Sequence, residues 1–195
     1  MEETLEVKND LLNDLGLPST ESYKTLNILE DGNSRYIKDL RINLKNALKS
    51  NNLSDEEINL LGIALSSNVK NRSLTHYFTS TAKELGTTED KIAEAVACAS
   101  LLSSNNVLYR FRHFVGKDEY KKQPARIKMN IMMKLVVGKE FFELLSLAIS
   151  AVNGCEMCVN AHEDSLIKMG TSEARIFDSI RLASVINSAD RIFWN

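Results

Sequence analysis

A chain of 195 residues, 44 % hydrophobic and 26 % charged, has the size and composition of one globular domain rather than of a disordered or fibrous chain. Its 24 Lys and Arg against 26 Asp and Glu leave a net charge of −2, so no basic surplus exists to grip phosphates, and nucleic acid is excluded as a first partner. Apolar runs such as Leu144 to Val152 are interrupted by Ser146 and Ser150 and fall short of the roughly 18 to 20 residues of a membrane helix; with the acidic start Met-Glu-Glu-Thr, unlike a signal peptide, they predict a cytoplasmic protein without membrane contact.

Residues 1–50 form an expected N-terminal helical region, in which Ile37, Leu40, Leu44 and Leu48 line one helix face at steps of three and four. Ser54 and Glu57 form a Ser-x-x-Glu capping box ahead of Ile58, Leu61 and Leu65 and predict the next helix start. No alternating apolar and polar run bounded by hairpin turns occurs, so the expected fold class is all-α, in one domain over 1–195. Shifting the chain by 84 residues aligns 60–109 with 144–193 without a gap. Identities include Leu60/Leu144, Ala64/Ala148, Ser66/Ser150, Gly86/Gly170, Thr87/Thr171, Glu89/Glu173 and Ser104/Ser188, and apolar positions such as Leu102/Ile186 stay in register. An internally duplicated helical fold is expected, with repeat one over 60–109 and repeat two over 144–193. In each, Gly ends a helix in the left-handed conformation and the following Thr caps the next. Residues 112–128, with Gly116 and Pro124 among many charges, read as the connector, and 1–50 should pack across the repeats.

Chemistry concentrates in repeat two, in Asn153-Gly154-Cys155-Glu-Met-Cys158-Val-Asn-Ala-His162. The Asn-Gly turn signal places Cys155 at a helix amino terminus, where free N–H groups and the helix dipole favour a thiolate. At 100° per residue, Cys155, Cys158 and His162 project within about 60° of one another, and His162, four residues after Cys158, is spaced to accept its proton. The aligned positions of repeat one are Asn71, Leu74 and Phe78, so the reactive groups occupy one copy. An odd count of three cysteines argues against a stapled secreted domain, and a CxxC pair inside a cell points to redox exchange or a metal site. Zinc held by the two thiolates, the imidazole and a carboxylate is the metal alternative; a structural or binding oligomer is the non-enzymatic one.

Glu143 with Cys155-x-x-Cys158-x-x-x-His162 resembles the active-site signature of the alkyl hydroperoxidase AhpD family, within the carboxymuconolactone decarboxylase-like superfamily. Asn106 to His113, Arg126 to Asn130 and Phe142 to Cys155 resemble further segments of that family, extending the likeness over about residues 55 to 190. The resemblance implies an all-helical, duplicated subunit that assembles as a homotrimer or higher homo-oligomer and acts as a thiol-dependent peroxidase. It implies Cys158 as the thiol that meets the hydroperoxide, Cys155 as its partner, His162 as the relay base and Glu143 as the carboxylate behind it. It also implies no bound cofactor and no metal, electrons from a dihydrolipoyl-type dithiol on a lipoyl-carrying protein, and a possible peroxiredoxin partner. A protein-disulfide reductant without direct peroxidase activity is the alternative enzyme; a lactone decarboxylase has no need of CxxC. Some members carry a histidine directly before the second cysteine, where this chain has Met157.

The acidity of an amino-terminal CxxC cysteine makes Cys155 the expected attacker of protein disulfides, while peroxide meets Cys158. Cys98 aligns with Leu182 and reads as a small core hydrophobe. His76 and His113 show no evident thiol or carboxylate constellation and read as surface or linker residues. Met129, Met132 and Met133 read as core or subunit interface, and Trp194 as packing back on the fold or a neighbour.

Overall fold

The computed structural model describes residues 2–19 and 23–193, so Trp194 lies outside the described residues. Among these residues every regular element is a helix, and no helix is long and apolar enough to cross a membrane. The elements are α1 (Glu2–Asp14), α2 (Lys24–Asp31), α3 (Tyr36–Ala47), α4 (Asp55–Asn68), α5 (Arg72–Glu84), α6 (Glu89–Val115), α7 (Asp118–Lys122), a single 3₁₀ turn (Asn130–Met133), α8 (Lys139–Val152), α9 (Glu156–Lys168) and α10 (Glu173–Ile192).

Local chemistry accounts for most of the helix ends. Ser54 accepts the Glu57 N–H, and the Glu57 carboxylate accepts the Ser54 N–H at 2.9 Å, so both halves of the capping box form at the start of α4. Asn71 accepts the Leu74 N–H at 3.0 Å and opens α5. The bounds of α4 and α5 recur 84 residues on as those of α8 and α9, and α6 and α10 start with the same offset. Gly86 and Gly170 end α5 and α9 at φ +82° and +85°. The threonines after them do a different job from the expected capping. Thr87 N–H donates to the Ala82 carbonyl and Thr171 N–H to the Leu166 carbonyl, each at 3.0 Å, closing the preceding helix as the last bond of a Schellman motif. The N-caps are instead Thr88 and Ser172, one residue later, because the glycine turn takes two residues to close.

The core is built around α4 and α8. Ile58 through Ser66 are buried without a break, as are Phe141 through Ser150 apart from Glu143. Helices α5 and α6 cover α4; α9, α6 and α10 cover α8; and α4 and α8 also touch directly. The N-terminal region packs mainly on one helix, since α2 and α3 lie against α10, with Ile37, Leu40 and Leu44 pointing inward.

The connector differs from its expected span. Helix α6 continues to Val115, ended by Gly116 at φ +67°, so 112–115 are helical and the mainly irregular stretch reaches Gly138. Met129, Met132 and Met133 are 42, 38 and 85 % exposed, which removes them from the core. The chain leaves the core at Gly116 and is recaptured at Glu94, whose buried carboxylate accepts the N–H groups of Val136 at 3.0 Å and Val137 at 2.7 Å.

Candidate active site

Helix α8 delivers the chain to the site through another Schellman turn. Gly154, at φ +68°, donates to the Ala151 carbonyl, and the Cys155 N–H donates to the Ser150 carbonyl at 3.1 Å. Cys155 closes α8 and is at once the N-cap of α9, its carbonyl accepting from Cys158 and Val159 N–H. That double duty fixes Cys155 at the amino-terminal mouth of α9, where backbone N–H groups favour negative charge. Cys155 and Cys158 are joined as a disulfide with their Cα atoms 5.3 Å apart.

His162 projects from the second turn of α9, and its Nδ1 lies 2.6 Å from Glu143 Oε2 on α8. Both side chains are largely shielded, at 23 and 12 % exposure, so the carboxylate faces the imidazole in a low-dielectric setting. With Nδ1 engaged by Glu143, Nε2 is the nitrogen left for proton exchange. The four residues singled out in the sequence thus form two pairs, Cys155 with Cys158 and His162 with Glu143, with His162 one helical turn after Cys158 on α9. Both cysteines are buried, Cys155 fully and Cys158 with 7 % of the residue exposed. The Schellman turn wraps Cys155 between two helix ends, while Cys158 lies in the first turn of α9.

Cys98 is buried on α6, its sulfur 3.6 Å from the Ser146 hydroxyl. Burial pushes its thiol up to about 12, the Ser146 contact working against that and the Glu94 and Glu143 charges adding to it. His76 is exposed on α5. His113 does have a carboxylate partner, Glu156, at 3.3 Å from its Nε2. Their sequence separation of 43 hid this pairing, which forms because the end of α6 lies along the first turn of α9.

Sequence reading also missed the amides that hold the turn before Cys155. Asn153 Oδ1 accepts from Asn68 Nδ2 at 2.8 Å, and Asn153 Nδ2 donates to Asn68 Oδ1 and to Asn106 Oδ1 at 3.2 and 2.9 Å. Asn106 Nδ2 reaches the Ser150 hydroxyl at 3.0 Å, and Arg110 donates to the Asn153 carbonyl. The signal available was Asn106 itself, a polar residue one turn after Leu102 on the face α6 buries. The turn is therefore tied to α4 and α6 by side chains, in addition to its own backbone bonds.

Residues 119–194 match the Carboxymuconolactone decarboxylase family. Three similar relatives carry the name Alkyl hydroperoxide reductase AhpD. That of Coxiella burnetii (strain RSA 493 / Nine Mile phase I) is 38 % identical over 160 residues, 80 % of this chain and 90 % of the relative. That of Anaeromyxobacter dehalogenans (strain 2CP-C) is 37 % identical over 153 residues, 78 % and 81 % of the two chains. That of Anaeromyxobacter sp. (strain K) is 35 % identical over 166 residues, 85 % and 88 %.

Proposed function

The chain belongs to the AhpD family of alkyl hydroperoxide reductases, and from that premise we propose that it is a peroxidase-type oxidoreductase in which Cys155 and Cys158 cycle between dithiol and disulfide. The observation that carries the cycle is a disulfide at the mouth of α9 with the His162–Glu143 pair one turn beyond Cys158. In the reduced protein, His162 Nε2 takes the Cys158 proton, and Glu143 on Nδ1 stabilises the imidazolium. The Cys158 sulfur attacks the terminal oxygen of an organic hydroperoxide. The O–O bond breaks, Cys158 becomes a sulfenic acid, and the alkoxide leaves as the alcohol with the proton from His162. The Cys155 sulfur then attacks Cys158; the S–S bond forms, the S–O bond breaks, and water leaves with the Cys155 proton.

A dihydrolipoyl-type dithiol restores the two thiols while its own sulfurs join as a disulfide. The dithiol form of the protein can in the same way reduce the disulfide of a partner peroxiredoxin. In this reading Cys158 is the sulfur that external partners meet and Cys155 resolves behind it, in keeping with the full burial of Cys155. Assembly as a homotrimer or higher homo-oligomer belongs to the same proposal, since Val107, Phe111 and Phe114 near the end of α6 stand 60, 45 and 74 % exposed and supply apolar surface for a second copy. Light scattering giving the 21.9 kDa monomer mass would refute the assembly.

Stopped-flow mixing of the reduced protein with an organic hydroperoxide, with and without a peroxiredoxin and a dihydrolipoyl donor, tests the chemistry. The expected result is oxidation of both cysteines and turnover once the donor is present. Oxidation of the protein only by peroxiredoxin disulfide would leave a protein-disulfide reductant, and oxidation by neither would overturn the proposal.

A further inference from the structure

Beside the first turn of α9 opens a cleft of about 430 Å³ for which the thiol cycle has no use so far. Tyr109, Arg112 and His113 at the end of α6 form one wall; Lys121 of α7 and Met157, which stands between the two cysteines, complete it. Its size falls within the range of small-ligand pockets.

The charges around it are unevenly matched. Lys121 shares its charge with Asp118 at 3.3 Å, and His113 faces Glu156. Arg112 donates to the neutral Gln123 carbonyl, and its guanidinium carbon lies 5.6 Å from the centre of the Tyr109 ring. Its Nε is buried without a hydrogen-bond acceptor, and among the described residues it pairs with no carboxylate. A guanidinium on a cleft wall with no anion of its own is matched by a carboxylate, whose charge-assisted bond must come from an Nη nitrogen because Nε is buried. The Asp118 and Glu156 carboxylates nearby count against a doubly charged group such as a phosphate monoester. The Tyr109 ring and the Met157 thioether supply the apolar surface that the body of such a ligand needs.

We infer that this cleft binds the carboxylate end of a fatty-acid hydroperoxide through Arg112, so that the flexible acyl chain brings its peroxide group to Cys158. The inference rests on the peroxidase proposal and narrows its substrate class: a free acid is preferred over the same molecule without its charge.

Two measurements test it. The first compares kcat/KM for a long-chain fatty-acid hydroperoxide and for its methyl ester, below their micelle concentrations, in the wild type and in Arg112→Gln. One charge-assisted hydrogen bond in a partly open cleft predicts roughly a tenfold preference for the acid, carried by KM, with the ratio falling toward one in the variant. Equal kcat/KM for acid and ester in the wild type overturns the inference, whether or not the variant folds. The second is calorimetric binding of the unreactive saturated fatty acid against the corresponding alcohol. Tighter binding of the acid supports the cleft even if neither hydroperoxide oxidises the protein, an outcome that would sink the peroxidase proposal alone. Equal or absent binding overturns the cleft.

Discussion

Replacing Asn106 with leucine removes the amide that ties α6 to the turn before the disulfide while keeping the same number and branching of side-chain heavy atoms. Asn106 is 1 % exposed and Ser150 is fully buried, so losing the 3.0 Å bond between them strands a hydroxyl away from water. The Asn153 amide also loses its 2.9 Å acceptor, although the Asn68 oxygen at 3.2 Å remains. A buried group left unpaired costs about 1 to 3 kcal/mol, and the partly rescued Asn153 belongs at the low end, so the sum is about 2 to 4 kcal/mol. At about 2 to 4 °C per kcal/mol for a chain of this length, the melting temperature should fall by about 4 to 16 °C. Calorimetry of the reduced protein measures this, with the neighbouring Asn105→Ala as a surface control held to within about 0.5 kcal/mol. Because the stranded amide belongs to the turn that seats Cys155, resolution of the Cys158 sulfenic acid should also slow, visible as greater capture by dimedone. A variant that melts within a degree of wild type and resolves at the wild-type rate would refute the assignment of this network as the support of the turn.

His162→Gln should slow Cys158 oxidation by roughly 10² to 10⁴, the usual cost of a lost general base, and Glu143→Gln by less, since the imidazole remains. Thiolate absorbance at 240 nm followed against pH checks this, and wild-type profiles in both variants would exclude the relay. Native reduced protein at pH 8 should alkylate at Cys158 and not at Cys98, whose thiol burial pushes up to about 12, until unfolding exposes it; mass spectrometry showing Cys98 modified in the native state would contradict this. Burial opposes ionisation of Glu57, but the Arg175 guanidinium and the Ser54 N–H outweigh it and hold the carboxyl below its ordinary range. A carboxyl lowered in the folded state stabilises fully above its unfolded value of about 4 and loses that contribution as pH falls through the folded one. Arg175→Met should therefore flatten the acid loss of stability below about pH 5, and an unchanged slope in acid titration of unfolding would reject the coupling.

Features read correctly from the sequence share a short range. The Ser54–Glu57 box lies within three residues, and the start of α9 directly after Cys155 follows from the Asn153-Gly154 turn signal. Glu143 was found through its motif, and the fold supplied the 2.6 Å contact across 19 residues. Features that escaped depend on which helices lie side by side: His113 with Glu156, and Asn106 with Asn153. Spacing also could not reveal that Cys155 would be the more buried sulfur, because its burial comes from closing α8 while starting α9. The threonines after Gly86 and Gly170 were misread because a capping residue and the last residue of a Schellman turn are the same residue types one position apart.

The start of α9 carries a hidden cost. At the equivalent offset, Asn71 caps α5 with its own side chain, whereas Cys155 opens α9 without a side-chain bond to the exposed N–H groups. A good N-cap residue is worth about 1 kcal/mol over a poor one. The helix that carries the disulfide thus has a weaker start than the same scaffold uses 84 residues earlier, so in the reduced protein Cys155→Asn should strengthen the α9 start while removing the disulfide. The mouth of α9 is then the place where endurance of the helix and retention of the dithiol compete.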